Sequence, residues 1–412
     1  MHRGVGTVAL AVWLSGCAST YVAKTAPARA AYVRGDYDAA LAKYAAVMPQ
    51  EKNSINQLLI LLDRGMVAHA AGRWQESIDI LTQADELSKK LDFTSVSEEA
   101  AALITNEGTR VYRGEDFEKL MITMLLAVNY YQLGKDEDAL VEVRRVNERI
   151  EKMIAEEKKP YEQLGVARYM AGVFWEDTRE LDNAALDYLK AAEAEKNIGS
   201  AVEAALRLAK KTERDDQYNA LKKKFPNVTI EEVGRGDSQV VVLIEAGMAP
   251  EKHSSDRQVA GNDGRVGTMI AVPVYPPRAV PIPRAKVMLD GKVIEAGTVT
   301  SVDRVANVHL NDRIGKLIAK SAASLLLKAG VAGAVGAAAK SEALGAATFL
   351  LLSMTQQADL RSWTTLPAEF QVARKRVAPG TYKFTVEYGG RTTNHEVTVK
   401  PGRVALAVVR RF

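Results

Sequence analysis

The chain has 412 residues, 26% of them charged and 47% hydrophobic, with a net charge of +4 at neutral pH. That is ample for two or more cored domains at roughly 100 to 200 residues each, so disorder is not the expected state. Lysine and arginine are interleaved with aspartate and glutamate and form no stripe, which excludes the electrostatic footprint of a nucleic-acid binder.

The only cysteine is Cys17, so no internal disulfide can form. It follows a weak polar start at His2 and Arg3 and an apolar run from Val5 to Leu14, about the length of a signal-peptide core and too short to span a bilayer. Leu14-Ser15-Gly16-Cys17 resembles the lipobox of bacterial lipoproteins, in which small residues admit the processing peptidase and the thiol accepts a diacylglycerol. The resemblance implies that residues 1–16 are a lipoprotein signal peptide and that the mature chain begins at a lipidated Cys17. Ala18 and Ser19 follow, with no aspartate directly after the cysteine, which resembles the sorting pattern for the outer membrane. Several acyl chains at about 0.8 kcal/mol per buried CH2 would hold such a chain stably. The competing reading is a cytosolic protein whose apolar N-terminus packs as a helix around a lone cysteine. Residues 17–30, rich in Ala, Thr, Pro and Lys, read as a short tether.

Helical pairs occupy residues 31–226. The clearest runs from Tyr112 to Ile150, where Leu120, Met124, Ala127, Val128 and Tyr131 recur at helical spacing and Gly134 supplies the break. Aligning on that turn exposes Arg34-Gly35-Asp36-Tyr37, Ala71-Gly72-Arg73-Trp74 and Leu133-Gly134-Lys135-Asp136, with a weaker copy at Arg179-Glu180-Leu181-Asp182. Each is followed by small and apolar residues at repeated offsets. The pattern resembles the tetratricopeptide repeat, a helix-turn-helix unit of about 34 residues. Small residues at Ala40, Gly65, Ser77, Ala127, Ala139 and Ala185 would let the helices of a pair cross closely. A generic antiparallel helix bundle is the alternative, because the turns at 35, 72, 134 and 180 are unevenly spaced. That spacing requires an insertion over about 88–115, with a short helix over Val96 to Ile104 and a loop that rejoins at Tyr112 and Arg113. Long loops inside a solenoid are usually functional or disordered. Two charged helices, about 200–212 and 215–225, end at Pro226 as a cap.

Stacked pairs leave their first helices lining a concave surface. On that geometry Met66 and His69, then Met124, Val128, Tyr131 and Gln132, then Met170, Phe174 and Asp177, face the groove. Methionine and aromatic side chains suit adaptable contact with an apolar peptide or helix, so this lining is the candidate partner-binding groove. Packing of the same residues against a neighbouring repeat is the other reading.

Beyond Pro226 the periodicity turns to alternating and β-branched runs. Val228 to Val233, Val240 to Ala246, a hairpin around Asp290-Gly291 and four strands between Ala368 and Arg411 predict a small antiparallel β-sandwich over residues 227–412. The turn-rich loop at Gly261 to Gly267 has acidic neighbours but lacks the spacing of a calcium loop. Inserted at about 311–357 is an Ala/Gly-rich helical segment whose lysines interrupt every apolar run. It reads either as a helical hairpin packed on the sandwich or on another subunit, or as an insert that enters a bilayer. No nucleophile elbow, zinc helix, phosphate loop or dinucleotide fingerprint occurs, and the five histidines are scattered singly, so no enzyme, metal or cofactor is expected.

The lipobox, the repeats, the insertion and the pattern Ala358-Asp359-Leu360-Arg361-Ser362-Trp363 through Pro379-Gly380-Thr381-Tyr382 together resemble a family of bacterial outer-membrane lipoproteins with tetratricopeptide-like repeats. The resemblance implies an address and an architecture and brings no activity with it. The expectation is a lipid-anchored, periplasm-facing scaffold that binds envelope proteins through the groove, in envelope assembly or peptidoglycan upkeep. The alternative is a structural subunit of an envelope export or surface-assembly complex, homo-oligomeric through the Ala/Gly-rich helices.

Overall fold

The structure, a computed structural model, describes residues 21–92, 110–155, 164–194, 199–230, 238–259, 268–341, 344, 348 and 358–412. Cys17, the expected helix at 96–104 and the tip of the loop at 260–267 lie outside these residues. Helices come first, as α1 (Tyr21–Val33), α2 (Tyr37–Glu51), α3 (Gln57–Ala70), α4 (Trp74–Asp92), α5 (Asp116–Gln132), α6 (Asp136–Ala155), α7 (Gly165–Asp177), α8 (Leu181–Ala194), α9 (Gly199–Lys211) and α10 (Asp215–Lys224). They form successive antiparallel pairs that stack into a tetratricopeptide-like solenoid.

The turns explain the pairing. Gly35, Gly72 and Gly134 take φ of +78°, +70° and +70°, the left-handed conformation that ends a helix, whereas the later turns place Arg179 and Glu213 at +72° and +58°. Close crossing needs small residues as well. Ser77 Oγ donates to Gly65 O at 2.8 Å, and a Cβ at Gly65 would stand 2.4 Å from Leu81 Cδ2. In the fourth pair a Cβ at Gly172 would stand 2.8 Å from the fully buried ring of Tyr188. Gly172→Ala is therefore expected to lower stability by about 1–3 kcal/mol through overpacking, read as the shift of the urea midpoint. An unchanged midpoint would mean that the pair crosses more loosely than described.

One sequence expectation is corrected at the start. The stretch read as a tether folds as α1 from Tyr21, with Pro27 inside it, and buries Tyr21, Thr25, Ala28, Ala31 and Tyr32. Low apolar content concealed it, because alanines and two tyrosines on one face were enough to dock the helix.

The strands are β1 (Ser238–Ala246), β2 (His253–Val259), β3 (Thr268–Val274), β4 (Lys286–Leu289), β5 (Lys292–Glu295) and β6 (Gly297–Ser301), then β7 (Glu369–Val377), β8 (Gly380–Tyr388), β9 (Arg391–Val399) and β10 (Val404–Arg411). Asp290 and Gly291, at φ +50° and +68°, make the tight turn between β4 and β5. One sheet has the order β10-β1-β7-β6, a second β5-β4-β8-β9, and among the described residues β2 and β3 form a two-stranded sheet. Two details depart from the expected antiparallel sandwich. β10 runs parallel to β1 from Gln239↔Val404 to Ala246↔Arg411. Residues 228–230 are not in a strand.

Alternation along β1 divides the molecule into layers. All nine of its residues are buried. Val240, Val242 and Ile244 join Val287, Leu289, Phe384 and Val386 in a core between the two sheets. Val241 and Leu243, with Val372 and Leu406, belong instead to the core of the solenoid. The first sheet is thus a middle layer with helices on one face and the second sheet on the other.

Between β6 and β7 lies α11 (Val302–Ala338), which starts earlier than the expected insert because Ser301 ends β6 and caps the helix, accepting from Arg304 N at 3.3 Å. Among the described residues no helix is long and apolar enough to cross a membrane.

Candidate functional site

The concave face of the solenoid is where the sequence placed its groove. The structure brings those residues together there and covers them with the chain's own first sheet. Met66, His69, Met124, Val128, Met170 and Phe174 are buried, and Tyr131 and Gln132 are partly so. α7 is buried on every side, as its apolar circumference dictates. The expectation of a groove open to a partner is corrected: β10 lies in it.

β10 is an edge strand, and helix side chains satisfy three of its outer backbone groups, Val404 N, Val404 O and Leu406 O. The Tyr131 hydroxyl lies 2.6 Å from Val404 O and 3.0 Å from Asp177 Oδ2. Gln132 Nε2 donates to Leu406 O at 2.9 Å, and Val404 N donates to Asp177 Oδ1 at 2.6 Å. Arg403 closes the same corner, its Nε donating to Asp177 Oδ1 at 2.8 Å and its Nη2 to Asp136 Oδ2 at 2.7 Å. Tyr131 stacks on Phe174 with centroids 4.5 Å apart. Side chains thus supply what a further strand or a bound peptide would.

Buried polar locks sit on α3, α5 and α7. Asp63 accepts from Tyr21 Oη at 2.6 Å and from Thr365 Oγ1 at 2.7 Å. Burial pushes its carboxyl up to about 6, against the pull of those two hydrogen bonds. His69 has Asn129 Oδ1 2.5 Å from Nδ1 and Glu245 Oε1 2.9 Å from Nε2, and both His69 and Glu245 are fully buried. Glu118 accepts from Tyr112 Oη at 2.5 Å, from Trp363 N at 2.7 Å and from Glu115 N at 2.8 Å. Burial, and then the charge of Glu115, raise its carboxyl above the usual range. Glu115 in turn pairs with Lys252 and Arg313. Burial alone would raise the Glu115 carboxyl, and those two cations hold it at about 2.

The densest lock is at α7. Glu176 accepts from Gln239 Nε2 at 2.7 Å and Tyr188 Oη at 3.0 Å, and pairs with Arg374 and with Arg207 at 2.6 Å. The two guanidiniums outweigh its burial and hold the carboxyl at about 2. Arg374 donates further to Tyr188 Oη and Gln239 Oε1, each at 2.8 Å. At the other end Arg410 donates to Tyr32 Oη at 2.7 Å and stacks over Phe412 at 4.2 Å.

The two residues expected at the junction part company. Tyr112 is buried, with its N–H donating to Ile55 O at 2.7 Å, whereas Arg113 is exposed. Glu115 and Glu118, at the start of α5, are two of the buried locks. Sequence reasoning missed Asp63, Glu176, Arg374, Arg403 and Arg410. For Asp63 and Glu176 the signal was a charge set inside an apolar run, LLILLDRGM and GVFWED. A cavity of about 300 Å³ opens beside the α7 lock, lined by Gly199, Ser200, Glu203 and Arg376 among others. Among the described residues no group of three or more His, Cys, Asp or Glu could hold a metal ion.

No protein-family model and no curated protein matches the chain. Among solved structures it is similar to a tetratricopeptide repeat protein from Parabacteroides merdae, at 19% identity over 48% of this chain and 64% of that one, with a TM-score of 0.31. It is also similar to MamA, at 16% identity over 48% of this chain and 91% of that one, with a TM-score of 0.32. A third is the Rap conjugation gene regulator of the plasmid pLS20 in complex with the Phr* peptide, at 12% identity over 50% of this chain and 53% of that one, with a TM-score of 0.31. The chain spans less than two thirds of the length of the first and third of these. The repeat architecture is carried by its own turns and crossings.

Proposed function

We propose that the protein is a lipid-anchored scaffold of a bacterial envelope, held to the outer membrane through Cys17 and facing the periplasm, which organises partner proteins in envelope assembly or peptidoglycan upkeep. No catalytic role is assigned to it. The observation that supports the scaffold reading is the strand in the groove: Tyr131, Gln132 and Asp177 bind the backbone of β10, so the solenoid serves as an internal clamp on the sandwich. A clamped solenoid is a rigid frame. Its partners then meet the convex helices or the outer face of the second sheet, where Met288 and Val293 are 51% and 62% exposed.

Two measurements test this. Cys17→Ala is expected to release the protein from membranes and abolish lipid labelling; membrane fractionation unchanged and no label on the parent chain would defeat the address. In cells, crosslinking of Tyr131→Ala is expected to return the same partners as the parent, at lower protein abundance. Loss of a partner with the fold and abundance intact would return recognition to the groove.

A further inference from the structure

Among the outer strands of the two four-stranded sheets, β9 stands apart. β5 and β6 are only four and five residues long, and β10 is taken up by the helices. β9 runs for nine residues, and its outer side meets no further strand. The devices that normally blunt such an edge are also missing. Its ladder with β8 runs from Gly380↔Val399 to Tyr388↔Arg391 without a bulge, and the strand holds no proline and no lysine.

The hairpin turn fixes which backbone groups point outward. Gly389 and Gly390, at φ +55° and +76°, make a two-residue loop, so Tyr388 and Arg391 exchange backbone bonds and the ladder alternates from there. Arg391, Thr393, His395, Val397 and Val399 therefore bond to β8. The N–H and C=O groups of Thr392, Asn394, Glu396 and Thr398 point away from the sheet, and among the described residues no hydrogen bond reaches them. The side chains of these four are exposed as well. On the opposite face β9 is held down, since His395 stacks on Phe384 with centroids 5.2 Å apart and its Nε2 lies 2.8 Å from Thr393 Oγ1.

We propose that β9 pairs with β9 of a second copy of the chain, antiparallel about a two-fold axis at His395, which joins the second sheets of two molecules into one. The residues of the strand select this occupant. Centred on His395, the pairing uses all four outward residues of each copy and forms about eight backbone hydrogen bonds. Thr392 then faces Thr398, and the Asn394 amide donates to the Glu396 carboxylate, which has Lys383 opposite it on β8. A two-fold at Asn394 would leave Thr398 opposite Gly390 of the turn, and one at Glu396 would set that carboxylate against itself. At the axis the two imidazoles meet uncharged at neutral pH, because burial and the charge of Arg411 hold His395 below the usual range.

The test uses the full chain carrying Cys17→Ala, which leaves no cysteine and no acyl group, in sedimentation equilibrium across the micromolar range. A dimer is expected. Asn394→Pro removes an outward N–H that the ladder with β8 does not use. The urea midpoint should therefore hold while the dissociation constant rises on the order of 30-fold, since the two-fold counts each lost bond twice. Introduced thiols locate the axis without relying on the proline. Opposed residues of a non-bonded antiparallel pair have Cα atoms about 4.5 Å apart, within disulfide reach. His395→Cys should crosslink two copies under mild oxidation, and Val293→Cys, exposed on β5 at the far edge, should not. A monomeric parent, a dimer indifferent to Asn394→Pro, or crosslinking at Val293→Cys with none at His395→Cys overturns the proposal. Because the pairing does not involve Cys17, its failure leaves the anchor reading standing.

Discussion

Glu176→Leu is expected to cost about 3–5 kcal/mol of folding stability, the range found when one partner of a buried ion pair is removed. The side chains of Glu176 and Arg374 are only 6% and 5% exposed, and the mutation takes from Arg374 its carboxylate and leaves Arg207 only Glu203, at 3.8 Å. Arg374→Met should cost less, because Arg207 still faces Glu176. The double variant should recover part of the sum, since the isolated charge rather than the lost attraction carries most of the penalty. Urea unfolding measures all three. Because this lock joins solenoid to sheet, the single variants are also expected to split one cooperative transition into two. A change below about 1 kcal/mol for Glu176→Leu would mean that the network is more hydrated than its burial implies.

The pH dependence should show two opposed parts. Glu115 and Glu176 sit at about 2 in the folded chain, below their ordinary value of 4.5. Their stabilisation is therefore full above that value and is lost as pH falls toward 2, on the order of 3 kcal/mol each. Asp63 runs the other way. Its folded value of about 6 lies above the ordinary 3.8. The folded chain binds the proton more tightly, and stability falls as pH rises between those two values, by roughly 3 kcal/mol at completion. Asp63→Asn removes only this second part. The stability gap between parent and variant should accordingly move by about that amount, in the variant's favour, from pH 4 to pH 7. A gap that stays constant would show Asp63 to be hydrated or ionised throughout.

Turn glycines and the alternation of the later strands were plain in the sequence, because both follow from local rules. Gly35, Gly72 and Gly134 mark real helix ends, and the strands at 369–377, 380–388, 391–399 and 404–411 lie close to where the alternation put them. The candidate groove was legible only as a face. Met124, Val128 and Phe174 are apolar whether a partner or the chain's own sheet covers them, and no helical period distinguishes the two. What did carry the answer was less conspicuous. β1 is buried on both faces, and Gln239 and Glu245, at its two ends, need polar partners on the helix side. A strand with that pattern belongs between two layers, which a two-sheet sandwich alone does not provide. The helix α1 escaped notice for a different reason: its docking depends on Tyr21 and Tyr32 reaching Asp63 and Arg410, partners far away along the chain.

The parallel pairing of β10 with β1 sets an order of events during biosynthesis. Every helix of the solenoid precedes Val404 to Arg411 in the chain, so the cleft that this strand fills stands open until the strand has followed them. Contacts such as Tyr32 with Phe412, whose ring centroids are 4.8 Å apart, join residues far apart in the sequence and are slow to form for that reason. Until then the growing molecule exposes apolar helices and an unpaired edge on β1, a state that invites holdase chaperones and proteases. Completion of the last strand is the step that retires both hazards at once.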